Sequence, residues 1–230
     1  MANSFFLFIV LCLALKCSAA SESSAEALLQ AARLRPTMHP ITLSAEIRGA
    51  EQPLPLTFKI EKGAIEYQLH DPEELLILKL GPTNSSLSDT KKGLSHVISD
   101  ENRYQEIRNT GVTYDDLSLG FLYWPHPRVV GSETLRGMKS SVIELRAPVQ
   151  NEASKTSPYG SARLWIDENN GAPLRMEGFD PQGHLLKRFE VISAQKIEGL
   201  WMLKEMRIET FDPTTQKVIQ RRYLDLAAAR

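Results

Sequence analysis

The five histidines, His39, His70, His96, His126 and His184, stand singly, with no second histidine or cysteine at i, i+4. Metal sites need such spacing, so no metal is expected. Gly93-Leu-Ser95-His96-Val97 lacks the second glycine of a nucleophile elbow and its strand–turn–helix setting. Ser88-Asp-Thr-Lys91, Ser99-Asp-Glu101 and Lys155-Thr-Ser157 echo the three elements of penicillin-recognising enzymes. Ser88, however, lies in a polar run instead of opening an apolar helix, and the second element follows too soon. Asp115 and Asp116 are the right types for an acid/base pair, yet acids in the first turn of a helix are explained by its dipole. Without a nucleophile, a metal set or a phosphate-cradling glycine loop, the chain is expected to be no enzyme and to use no cofactor.

The informative feature is an apolar face. If Asn169-Asn170-Gly171 is a three-residue hairpin loop with Gly171 left-handed, Leu164 falls opposite Met176 and Ile166 opposite Leu174. The turn Pro181-Gln182-Gly183-His184 then sets Met176 against Phe189 and Leu174 against Val191. The two-residue turn Glu198-Gly199 sets Val191 against Met206 and Phe189 against Ile208. All three turns agree on one continuous face, whereas a one-residue slip would scatter it to both sides. The opposite face reads Arg163, Glu177, Arg188, Glu209 in one cross-strand row and Trp165, Arg175, Glu190, Arg207 in the next. These alternating charges are expected to form a solvated outer surface that sets register.

The rest of the chain supplies the elements around this stretch. An amphipathic helix is expected within Ser21 to Pro36, with Ala25, Leu28, Leu29, Ala32 and Leu34 on one stripe. From Ile41 the period becomes two, giving strands over Ile41–Ile47, Leu54–Ile60, Ile65–Leu69 and Glu74–Leu80. Gly81 to Ser99 is Ser-, Thr- and Lys-rich and reads as a loop with at most one strand. Thr113-Tyr-Asp-Asp116 is a capping-box variant that opens a second helix, ended by Pro125. Met138–Ala147 is a strand, and Val218–Leu224 is a last, edge-like one. About ten strands in meander order expose more apolar inner surface than two helices can cover if the sheet stays flat. The fold class expected is therefore mainly β: a half-open antiparallel β-barrel with α-helices plugging the concave side.

Lys plus Arg at 27 against Asp plus Glu at 28 gives a net charge of −1, so a nucleic-acid partner is not expected. Residues 1–20 combine an apolar run, Phe5 to Leu15, with Ser18, Ala19 and Ala20. They read as a secretory signal peptide, since such a run spans only about 16 Å as a helix and a bilayer core is about 30 Å. Residues 21–230 then form a single exported, soluble domain. Both cysteines, Cys12 and Cys17, lie in the signal, which leaves the core to hold this domain without disulfides.

Gly111-Val-Thr-Tyr-Asp-Asp-Leu117, Phe121-Leu-Tyr-Trp124, Leu164-Trp-Ile-Asp167, Gly171-Ala-Pro-Leu-Arg175 and Gly183 together resemble the bacterial outer-membrane lipoprotein-sorting family, the LolA-like periplasmic carriers and their uncharacterised relatives. The resemblance spans roughly Ser24 to Leu224. It implies a half-open barrel with helices as a lid, binding lipid or lipoprotein acyl chains between an inner-membrane donor complex and an outer-membrane acceptor. It supplies no position for the carriers' functional lid-facing arginine. The candidate lipid-binding residues are Leu164, Ile166, Leu174, Met176, Phe189, Val191, Met206 and Ile208 on the sheet, extended by Phe58, Ile60 and Leu76, with Phe121 and Trp124 as the gate. The expected function is a monomeric periplasmic carrier. The alternative is an envelope sensor or scaffold that docks partners through the charge rows.

Overall fold

In the computed structural model, residues 24–34, 37, 39–70, 72–91, 94–99, 102–148 and 157–229 are described. The expected signal peptide, residues 1–20, lies outside them. A helix, α1, occupies 24–34. Six strands follow: β1 (Ile41–Arg48), β2 (Leu54–Glu61), β3 (Ala64–Leu69), β4 (Glu74–Leu80), β5 (Ser85–Lys91) and β6 (Leu94–Val97). The short helix α2 (Tyr114–Ser118) and a 3₁₀ turn (Gly120–Tyr123) come next. The chain then continues as β7 (Arg128–Leu135), β8 (Met138–Arg146), β9 (Ser161–Asp167), β10 (Pro173–Phe179), β11 (Leu185–Ile197), β12 (Leu200–Phe211) and β13 (Val218–Ala228).

All thirteen strands form one antiparallel sheet in the order β6-β5-β4-β3-β2-β1-β13-β12-β11-β10-β9-β8-β7. Two meanders meet where β1 pairs with β13, and the sheet is not closed between β6 and β7. The half-open barrel expected from the sequence is thus observed, with one strand, β7, that the sequence does not predict and three further differences. Gly81 to Ser99 holds two strands, β5 and β6, because β4 offers a complete partner edge to a polar sequence. Val218–Leu224 is part of a central strand, paired on both sides with β12 and β1. The second helix breaks at Leu119, whose φ of 52° is left-handed and ends α2 after five residues.

The registers of Met176 with Leu164 and Phe189, of Phe189 with Ile208 and of Val191 with Met206 are those read from the turns. Gly171, Glu198 and Gly199 all carry positive φ, as those turns require. Ile166, in contrast, lies opposite Pro173, and Leu174 occupies a register shift; the pairing of β10 with β11 begins at Arg175 with Glu190. A proline cannot donate to the ladder, so the first residues of β10 bulge.

Alternate turns fall on alternate rims. One rim carries the β2–β3, β4–β5, β7–β8, β9–β10 and β11–β12 turns. The other carries the β1–β2, β3–β4, β10–β11 and β12–β13 turns and receives the segment that leads into α2.

Candidate functional site

The inner face of the sheet is apolar along both meanders, but the helices do not cover it evenly. Leu43, Leu56, Ile65, Leu76 and Leu78 form one buried cluster, against which Tyr114, Leu117 and Leu119 pack. Ala25, Leu29 and Ala32 of α1 form a second cluster with Leu122, Ile143, Leu145, Leu164 and Ile166. Phe189, Val191 and Met206, at the centre of the same face, belong to neither and stay half-buried. A wall of hydrocarbon therefore lies between two dry cores.

Of the residues singled out in the sequence, Leu164, Ile166, Leu174, Ile208, Ile60 and Leu76 are buried within the protein. Phe58, Met176, Phe189, Val191, Met206, Phe121 and Trp124 are half-buried. Phe121 and Trp124 pack against the α1 cluster, and Met176 extends it toward the wall. Trp124 also lines a cleft of about 430 Å³ with Glu26, Arg33, Pro82, Thr83, Tyr123 and Pro125 to Pro127. This cleft marks the edge of the cover and not the wall itself; the apolar face is the better site candidate, because the cleft has a mixed lining.

The two covers are held differently. Arg33, only 7% exposed, joins α1 to the 3₁₀ turn: Nε and Nη2 donate to the Leu122 carbonyl at 3.0 and 2.5 Å, and Nη1 meets Glu26 Oε1 at 2.6 Å. Its guanidinium also stacks 4.6 Å from the Tyr123 ring centroid. Tyr123 in turn donates its hydroxyl to the Gly81 carbonyl at 3.0 Å. Arg33 was not assigned a role from the sequence. Its position four residues after Leu29, on the buried stripe, is the signal that could have found it.

The segment around α2 is pinned at many points. Thr113 and Asp116 close the capping box read in the sequence. Asp116 then receives Lys187 Nζ at 2.5 Å and the Tyr159 hydroxyl at 2.9 Å, all three groups being buried. Arg108 donates to the His70 and Pro72 carbonyls and pairs with Glu74 at 3.1 Å, and Tyr114 donates to the same carboxylate. Arg222 reaches the Gly49 carbonyl. Burial and the neighbouring Asp116 push Asp115 up to about 6. Burial beside Asp116 raises the Tyr159 hydroxyl well above its ordinary value. The pair Asp115–Asp116 is thus a helix start and an ionic anchor. Among the described residues no group of His, Cys, Asp and Glu is placed to hold a metal.

The charge rows have the expected register, Arg163–Glu177–Arg188–Glu209 and Trp165–Arg175–Glu190–Arg207. They are not simply solvated, for Glu177, Glu190 and Glu209 are buried beneath the arginines. Arg175 and Arg207 both pair with Glu190, Arg188 pairs with Glu177 and Glu209, and Arg175 and Arg188 stack on Trp165 and Phe211. The β7–β8 hairpin folds over this side, bringing Glu133 to the Trp165 indole N–H at 2.9 Å and Arg136 to the Val191 carbonyl at 2.8 Å. Arginines so engaged are not free for a docking partner, which disfavours the scaffold alternative.

Three solved structures share this architecture. An outer membrane lipoprotein-sorting protein domain from Vibrio parahaemolyticus matches with a TM-score of 0.67 at 16% identity, over 91% of this chain and 92% of that one. A DUF1329 family protein from Desulfovibrio piger matches at 0.62 and 15%, over 90% and 91%. A LolA superfamily protein from Nitrosomonas europaea matches at 0.59 and 15%, over 88% and 91%. At such identities the likeness is one of fold. No curated protein matches the chain. A family model described as "Uncharacterized protein" covers residues 91–226, more than half of the sequence. The chain belongs to that family, and it is built on the open-barrel fold of the LolA-like proteins.

Proposed function

We propose that this protein is a non-enzymatic carrier of acyl lipids in the bacterial envelope, its chains lying on the wall formed by Phe189, Val191 and Met206 beneath α1 and the 3₁₀ turn. The observation that carries the reading is the division of the core in two. Large apolar side chains at the centre of a concave sheet stay half-buried while their neighbours on both sides are dry. Apolar contact there is worth about 25 cal/mol for each Å² removed from water, and a lipid chain is a ligand that supplies it without polar partners. Met176 and Met206 adapt to chains of different shape. The lipoprotein-sorting assignment of a protein with the same fold supports the same class of cargo. The apolar run at residues 5–15 supports export, with the periplasm as the place of action.

The test is lipid extraction and native mass spectrometry of the mature protein, purified without detergent, followed by displacement of a fluorescent fatty acid. Wild type is expected to carry phospholipid or fatty acid and to release it on competition. Phe189→Glu and Met206→Glu, which place a charge on the wall, should lose it while keeping the fold. Wild type that stays empty after incubation with lipid, and binds no fluorescent fatty acid, overturns the reading.

A further inference from the structure

The most exposed aromatic side chain of the described residues is Trp201, at 72%. It lies at the β11–β12 tip directly opposite Lys196, next to a tight turn in which Glu198 and Gly199 both have positive φ. Nothing in the fold requires an indole there, and a soluble surface gains nothing from one. Trp is suited to a boundary that is apolar on one side and wet on the other, such as the interface of a bilayer.

The unpaired charges around it are mostly basic. The antiparallel order of the sheet puts the β11–β12, β2–β3 and β4–β5 turns on one rim. Along it Lys62, Lys79 and Lys196 are exposed, as is Lys204 further up β12, and among the described residues none of the four has an ion pair. The lysines elsewhere on this rim are engaged: Lys59 with Glu61 and Glu66, Lys139 with Glu168. The one carboxylate of the tip itself is Glu198. On the opposite rim the α2 segment plugs the barrel and Arg108, Arg222 and Lys187 are bound within the protein, while Lys217 of the β12–β13 turn and Arg128 at the start of β7 stay exposed there.

We infer that the rim bearing Trp201 and these four lysines docks on the surface of an anionic bilayer, with the indole at headgroup depth. The inference deepens the carrier reading and rests on it for the choice of a membrane over a protein as partner. It also gives the carrier a polarity: the plugged rim faces away from the bilayer, and the rim where Tyr123 touches the β4–β5 turn faces it. Unpaired lysines near an anionic surface each contribute about fivefold to binding at low salt, an effect that fades within a Debye length.

The experiment is flotation of the full mature chain with vesicles of phosphatidylethanolamine and phosphatidylglycerol, against vesicles of phosphatidylcholine alone. Wild type should float with the anionic vesicles, lose association as salt is raised, and show a blue shift of Trp fluorescence that is absent in Trp201→Phe. Lys196→Gln combined with Lys204→Gln should weaken association about 25-fold. Both variants alter exposed side chains outside the wall, so each should still take up fluorescent fatty acid from a micellar source as wild type does. Failure of wild type to bind anionic vesicles, or equal binding by the double variant, overturns the docking inference. Loss of fatty-acid uptake by wild type overturns the carrier reading instead, and the flotation result stands apart from it.

Discussion

Replacing Arg33 by Met tests whether α1 is a lid latched by one side chain. The substitution keeps an apolar stem of similar length and removes the guanidinium. What is lost can be added up from the contacts. A charged donor to a buried carbonyl is worth about 1.5–3 kcal/mol, and here two N–H groups share the Leu122 oxygen. The stack on Tyr123 adds about 0.5–1 kcal/mol. The pair with Glu26 contributes little, because the Glu26 side chain is half in water. Part of the sum is offset by no longer burying a charge, which leaves about 2–3 kcal/mol, or roughly 30- to 150-fold in the opening equilibrium of the lid. Amide exchange followed by mass spectrometry reads this directly. Peptides covering α1 and 119–124 should exchange faster by that factor, while those of β11 and β12 keep wild-type rates. Acceleration spread evenly over all peptides would mean that Arg33 supports the whole domain, and unchanged rates in α1 would mean that it latches nothing.

Other perturbations separate the anchor from the lid. Asp115, held up at about 6 against 3.8 in the unfolded chain, binds an extra proton in the folded state between these values. Stability therefore falls as pH rises through that window and stays lower above it, and Asp115→Asn should raise the melting temperature well above pH 6, by up to about 3 kcal/mol of stability, and change little below 3.8. Lys187→Met leaves the Asp116 carboxylate buried without its cation and should cost about 3–5 kcal/mol in denaturant unfolding, of which adding Asp116→Asn restores a part. Gly178→Ala would set a Cβ 2.5 Å from Tyr159 Cε1, so the ring must move and its hydroxyl leave Asp116. A loss of about 1–3 kcal/mol and an altered near-UV spectrum are expected, with lipid uptake retained.

Turn chemistry makes most of the β9 to β12 register readable in the sequence, because Gly171, Gly183 and Gly199 sit where a left-handed residue is needed; the pairings of Leu174 are the exception, since Pro173 shifts the start of β10. Where such a signal is missing, so is the element. β5 turns only Leu87 and Asp89 to the buried side, too few to show a period of two. β7 hides its alternation behind a register shift at Gly131 and an exposed Val130. The capping box showed where α2 begins but not that Leu119 would turn left-handed and stop it, since that depends on packing into both clusters at once. For the site, the identity of the inner face was legible and its division into filled and half-covered parts was not. Leu164 and Met206 look alike in sequence; only the docking of α1 makes one core and leaves the other as wall.

The unequal fastening of the two covers has a physical consequence for any cargo. Lifting α2 would strand Asp116 and Lys187 in an apolar setting, and uncompensated buried charge is among the costliest things a fold can be asked to bear. Lifting α1 frees Arg33 into water, where guanidinium is well hydrated, and uncovers Leu29 with the small Ala25 and Ala32, an apolar contact that an incoming acyl chain would replace. The cheaper motion is thus on the α1 side, and left-handed Leu119 between α2 and the 3₁₀ turn is a natural point of articulation, as it touches both clusters. A lipid that enters beneath α1 need not disturb the ionic anchor at all. The anchor can then be as stable as the sheet while α1 opens more readily, which under the proposed carrier role would let one domain hold its shape when empty and still release a lipid.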